Sequence, residues 1–190
     1  MEDDNEFLLK NASEELRNNK EFVFECVKND GYLLKYASEN LQNNKDFILE
    51  LVRNNKCNLS YVHRKFKNER EVVLEAVKND GFSLEFASEI LKNDKEIVLM
   101  AVKNNGESLY IASDQIKDNK EIVLEAIKNR GGAINYASKR FRSNKKLMMI
   151  AIKKLFFVHF GRIKFDGIIV SHEYGIYFIK KSFIRILEFF

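Results

Sequence analysis

The chain has 190 residues and a formal net charge of +4, is 45% hydrophobic and 32% charged, and contains neither proline nor tryptophan. That balance excludes a collagen-like or low-complexity polymer and fits an ordered chain long enough to bury a core. The missing proline removes the commonest helix breaker. No uncharged apolar run reaches about 18 residues, so no membrane span is expected.

The start, Met1 to Glu6, is acidic and polar, unlike a secretory signal or transit peptide. Cys26 and Cys57 form neither a disulfide framework nor a metal spacing. An intracellular, cytoplasmic setting is the expectation.

From Glu6 onward the chain repeats. Ala-Ser pairs stand at Ala12-Ser13, Ala37-Ser38, Ala87-Ser88, Ala112-Ser113 and Ala137-Ser138, with Val62-His63 in the remaining slot. The period is 25 residues throughout, without insertion, which marks a stacked repeat architecture. Each copy reads as two short helices. The first carries Leu34, Ala37 and Leu41 at i, i+3 and i+7, one helical face, and the same columns recur down to Ile134, Ala137 and Phe141. The second has N-cap candidates Asn18, Asn43, Asn68, Asn93, Asp118 and Ser143, with an acid three residues on except at Lys146, close to a capping box. Its apolar arc, such as Val72-Val73-Leu74 then Ala76-Val77, is wide, so this helix is expected in the more enclosed layer. Gly31, Gly81, Gly106 and Gly131 read as left-handed stops, with Lys56 and Phe156 in the same column of the other copies. Such pairs cannot bury their apolar faces alone and are expected to stack. The fold class is therefore all-α: an α-solenoid of about six 25-residue helix–turn–helix repeats over residues 1–154. Polar Asn11, in a column otherwise held by Tyr36, Tyr61, Phe86, Ile111 and Tyr136, reads as the mark of a capping first repeat.

The stretch Tyr36-Ala37-Ser38-Glu39-Asn40-Leu41, together with Asn68-Glu69-Arg70-Glu71-Val72-Val73-Leu74-Glu75-Ala76-Val77-Lys78-Asn79-Asp80-Gly81, resembles the repeat family catalogued as domain of unknown function 4116. The resemblance covers about residues 6–154. It implies tandem helical repeats and no known catalytic activity.

From Leu155 the register is lost. Asp166-Gly167 between β-favouring runs is a hairpin signal, and Ile176 to Phe190 reads as a strand plus a short amphipathic helix, so residues 155–190 are partly β in this reading. Three readings stand: a cap on the last repeat, a membrane-surface or partner-binding segment, or an aberrant end. His172-Glu173 begins like a zinc-protease motif, but Ile176 stands where the second histidine belongs.

Charge is unevenly spread: residues 1–54 carry a net of −5, residues 55–138 zero, and residues 139–190 a net of +9. Lys139, Arg140, Arg142, Lys145, Lys146, Lys153, Lys154, Lys180 and Lys181 are accordingly candidates for an anionic partner, nucleic acid or a membrane surface. The alternative is a solvated, or head-to-tail stacking, repeat protein with opposite-ended charge.

His63 has no nucleophile or acid partner in the repeat pattern and reads as a drifted surface position. Cys26 shares a column with Leu51 and four alanines and reads as core; Cys57 reads as an exposed thiol at a helix start, where its pKa can fall. Tyr36, Tyr61, Phe86, Ile111 and Tyr136 lie away from the Leu-Ala-Leu face, either packed under the adjacent helix or forming a ladder of interface anchors. The expected function is a non-catalytic protein-interaction scaffold, without cofactor, metal or small-molecule substrate. The alternative is an accessory binding module for nucleic acid or anionic membrane through the basic C-terminal part.

Overall fold

The computed structural model describes residues 4–55 and 57–160. Contacts divide the chain into two compact units, Met1–Leu155 and Phe156–Phe190, and the repeats lie in the first. The hairpin at Asp166-Gly167, the strand and helix of 176–190, His172-Glu173, Lys180 and Lys181 lie outside the described residues.

All regular structure among the described residues is helical, but five of the six repeats have three segments rather than two. The fourth is representative: a 3-10 turn, Gly81–Phe86, a single α-turn, Glu89–Lys92, and a long helix, Lys95–Asn104. The expected first helix is thus broken at the Ala-Ser pair. Ala87 takes extended ψ of 157° and Ser88 becomes the N-cap of the α-turn. The reason is a competing hydrogen bond. The Ser88 N–H donates to Lys67 O of the preceding repeat at 2.9 Å, as Ser38 N–H does to Arg17 O, Ser113 N–H to Lys92 O and Ser138 N–H to Lys117 O. A donor committed to a neighbour cannot close an i−4 bond in its own helix. The apolar columns still converge: Leu84, Ala87 and Leu91 are all buried.

Consecutive long helices pack on one another from Lys45–Arg53 through Arg70–Asn79 and Lys95–Asn104 to Lys120–Asn129. They bury paired apolar residues, Val72-Val73 with Ala76-Val77 in one repeat and Ile97-Val98 with Ala101-Val102 in the next. The α-turns after the first repeat bury one residue each, Leu41, Leu91, Ile116 or Phe141.

Two expectations about helix ends are corrected. The N-caps of the long helices are Asn19, Asn44, Asp94 and Asn119, one residue later than expected, and Asn144 accepts from Lys146 N and Leu147 N in the same way. Glu69 occupies the cap position of the third repeat without a side-chain bond. Asn18, Asn43, Asn93 and Asp118 end the α-turn instead. Gly81, Gly106 and Gly131, in turn, are not left-handed stops but open the 3-10 segments without a positive φ; outside glycine, among the described residues, only Asn55 has a positive φ, 54°. A Cβ on Gly81, Gly106 or Gly131 would lie 2.5, 2.3 or 2.4 Å from the carbonyl oxygen of Ala101, Ala126 or Ala151. Glycine is needed there because the next long helix runs against the backbone.

The first and third repeats depart from the pattern. The first opens with an α-helix, Asp4–Lys10, closed by a bond from Asn11 Nδ2 to Phe7 O at 2.8 Å. Asn11 provides no polar lid, since Phe7, Leu8 and Leu16 stay exposed. In the third, where Lys56 takes the glycine column, the chain turns through left-handed Asn55, has turns where the repeats after it have their 3-10 segment, and forms a 3-10 segment, Arg64–Asn68, in place of the α-turn. The last long helix, Lys145–Phe160, runs past Leu155, with Phe156 in the column that holds glycine after four of the other long helices.

Candidate interaction surface

Each glycine-led 3-10 segment buries its third and fourth residues, such as Leu33-Leu34 or Ser83-Leu84, and leaves others at the surface. In a 3-10 turn residues i and i+3 eclipse one another, so the positions after the glycine and three residues further share a face. Lys35 Nζ accordingly sits 3.5 Å from the Tyr32 ring centroid and 4.5 Å from that of Tyr36, a cation–π arrangement.

The column Tyr36, Tyr61, Phe86, Ile111 and Tyr136 does not act as one ladder. Tyr36, Phe86 and Ile111 are half-buried and packed against the core. The Tyr36 hydroxyl also donates to Glu6 Oε1 at 2.8 Å, and Lys67 Nζ lies over Phe86. Tyr61 and Tyr136 are exposed. The rings that touch run diagonally between columns. Tyr32 meets Tyr61 with centroids 5.8 Å apart; Phe82 meets Tyr110 at 6.3 Å, and Tyr110 meets Tyr136 at 5.7 Å. Tyr32, Tyr61, Tyr110 and Tyr136 remain 39–46% exposed, so these lines form a surface rather than core. Tyr32, Phe82 and Tyr110 were not among the expected anchors. The signal for them was the three-residue period, which is visible only once the segment is known to be 3-10.

The basic candidates divide. Arg140 is held by Asp118, with Nη2 2.8 Å from Oδ2, Nε 3.1 Å from Oδ1 and a further bond to Asp118 O. Lys139 and Arg142 lie on the α-turn beside it, exposed. Lys145 and Lys146 open the last long helix, and Lys153 and Lys154 follow two turns on. A shallow hollow at the opposite end is lined by Glu14, Glu15, Glu39, Asn18, Ser38 and Asn40.

His63 Nδ1 accepts from Lys65 N at 3.3 Å and caps the 3-10 segment. Cys26 is buried, and burial pushes its thiol pKa up. Cys57 is buried too, not exposed, and desolvation raises its pKa to about 12, the reverse of activation. No group of His, Cys, Asp or Glu among the described residues is arranged to hold a metal ion. No helix among them is long and apolar enough to cross a membrane.

Compared with known families, the chain matches "Domain of unknown function (DUF4116)" four times, over residues 3–42, 19–67, 69–117 and 119–157. Neither the curated proteins nor the solved structures yield a match.

Proposed function

Because the chain belongs to the family described as a domain of unknown function, DUF4116, and is a tandem array of its repeats, we propose that it is a non-catalytic scaffold whose aromatic flank captures another protein. The observation carrying this reading is the line Phe82–Tyr110–Tyr136, which spans three repeats with its tyrosines open to solvent. Tyrosine supplies a large amphipathic contact area at low entropic cost and is enriched where binding energy concentrates. A repeat array multiplies such positions along one extended surface. A reducing, cytoplasmic setting belongs to the same reading, in keeping with two free, buried thiols. The test is affinity capture by the wild-type chain and by a Y110A/Y136A variant, with bound proteins identified by mass spectrometry. The proposal expects a defined partner to be lost in the variant while its melting temperature stays within a few degrees. Retention of the same partners counts against it.

A second reading, an anion-binding C-terminal part, rests on a separate observation. The acid column Glu71, Glu96, Glu121 ends in Lys146, so Lys120, Lys145 and Lys146 have no ion-pair partner among the described residues. It expects salt-sensitive binding to duplex DNA or anionic vesicles, and binding that does not respond to salt counts against it.

A further inference from the structure

The two ends of the repeat unit expose complementary halves of one interface. Columns that lose their cover in the first repeat alone identify the face that looks toward a preceding repeat. Leu16 is 43% exposed, while Leu41, Phe66, Leu91, Ile116 and Phe141 in its column are 2–6% exposed. Phe22 is half-buried, whereas Phe47, Val72, Ile97, Ile122 and Leu147 are buried; Ala12 differs from its five equivalents in the same way. Columns that lose their cover in the sixth repeat alone identify the face that looks toward a following one. Met148 and Ile152 are half-buried, where Val23, Ile48, Val73, Val98 and Val123, and Val27, Val52, Val77, Val102 and Ile127, are fully covered.

Charge follows the same polarity. At three of the five joints the base that opens one long helix pairs with the acid in the second position of the next: Lys45 with Glu71 at 3.2 Å, Arg70 with Glu96, and Lys95 with Glu121 at 2.7 Å; Lys20 and Asp46 form no such pair, and Lys120 has Lys146 in the acid position. At the ends of this series Glu21 has no preceding base and Lys145 no following acid; neither forms an ion pair among the described residues. Ser13, whose equivalents Ser38, Ser88, Ser113 and Ser138 each donate to an Asx side chain of the preceding repeat, only caps Leu16 N.

We propose that the chain stacks head to tail on a second copy of itself, the first repeat of one copy seated on the sixth repeat of the other. Leu16, Phe22 and Ala12 then meet Met148 and Ile152, and Glu21 meets Lys145. The occupant is a second copy because the open face asks for the features of a repeat's far side, an apolar pair next to a helix-opening base, and the sixth repeat carries them. The first two repeats are net acidic and the sixth, from Lys139 to Lys154, carries bases and no acid, so the two ends attract in that orientation and repel in the reverse one. The contact is heterologous, so each copy in a stack keeps one open face of each kind for a further copy.

Sedimentation velocity of the full chain over a range of concentration and salt tests this. The wild type is expected to show a concentration-dependent rise in mass that salt weakens. L16E should weaken association about tenfold or more, and E21K and K145E should each weaken it about fivefold. An equimolar mixture of the E21K and K145E chains should recover wild-type association, because each face then meets its opposite charge. Circular dichroism checks that the variants remain folded, and the mixing result does not depend on L16E folding. A chain that stays monomeric to millimolar concentration overturns the proposal. So does association that is indifferent to L16E and to mixing, the result expected if residues 156–190 cover the last face or drive assembly themselves.

Discussion

At Gly106 an added methyl group would stand 2.3 Å from Ala126 O and 3.0 Å from Arg130 N, both backbone atoms that cannot move without displacing a helix. G106A is therefore expected to cost about 2 kcal/mol, measured by urea unfolding. Gly132 is its control: nothing lies within 4 Å of its Cβ position and it sits inside a 3-10 turn, so G132A should stabilise by about 0.5 kcal/mol. Cys57 gives a second expectation. Its thiol pKa is raised from 9.0 to about 12 by burial, so the unfolded chain releases that proton first as pH rises. The contribution to stability is present below about pH 9 and is lost progressively toward about pH 12. In the native state both thiols should resist alkylation at pH 8 and react only after unfolding, checked by intact-mass analysis.

The repeats are joined by two kinds of polar clasp. At the α-turns, Ser38, Ser88 and Ser113 Oγ donate to Asn18, Asn68 and Asn93 Oδ1 of the preceding repeat, and Ser138 does the same to Asp118. At the far ends of the long helices, Asn104 Nδ2 donates to Lys78 O and Asn79 O while its Oδ1 accepts from Gly81 N; Asn129 makes the same contacts to Lys103, Asn104 and Gly106. N104A should cost about 2 kcal/mol, because it strands helix-end carbonyls and a glycine N–H. The third repeat lacks the first clasp, since His63 stands in the serine column. H63S should restore it to Asn43 and raise stability by about 0.5–1 kcal/mol in thermal unfolding. The serine column was legible in the sequence as a period, but its work was not: a hydrogen bond 20 residues back leaves no local pattern. Likewise Asn18-Asn19 and Asn43-Asn44 supply two good caps side by side, and nothing in the pair says that the first ends one helix while the second starts the next. The apolar columns were legible because burial in every copy constrains them in the same way. The break at Ala-Ser was not, because Leu34 and Leu41 stay buried whether one helix or two short segments carry them.

Taken whole, the unit spanning Met1–Leu155 is held by contacts between neighbouring repeats, so its stability is a sum of local joints that need not be equal. The joint between the second and third repeats combines left-handed Asn55, turns in place of the first 3-10 segment and the absent serine clasp. Hydrogen exchange should therefore report faster opening at residues 57–63 than at 82–87 or 107–112, with H63S reducing the difference. The asparagine that ends the third, fourth and fifth long helices, Asn79, Asn104 or Asn129, has a broader consequence. Its partners are main-chain groups, which every residue type supplies, so the joint recognises a position and not a particular neighbour. Excising residues 81–105 would bring Ser113 to Asn68 and Asn129 to the Lys78 and Asn79 carbonyls, the same partners in the same register. The array can thus shorten or lengthen by whole 25-residue blocks without a scar, and its reach is free to vary while its surface chemistry is retained.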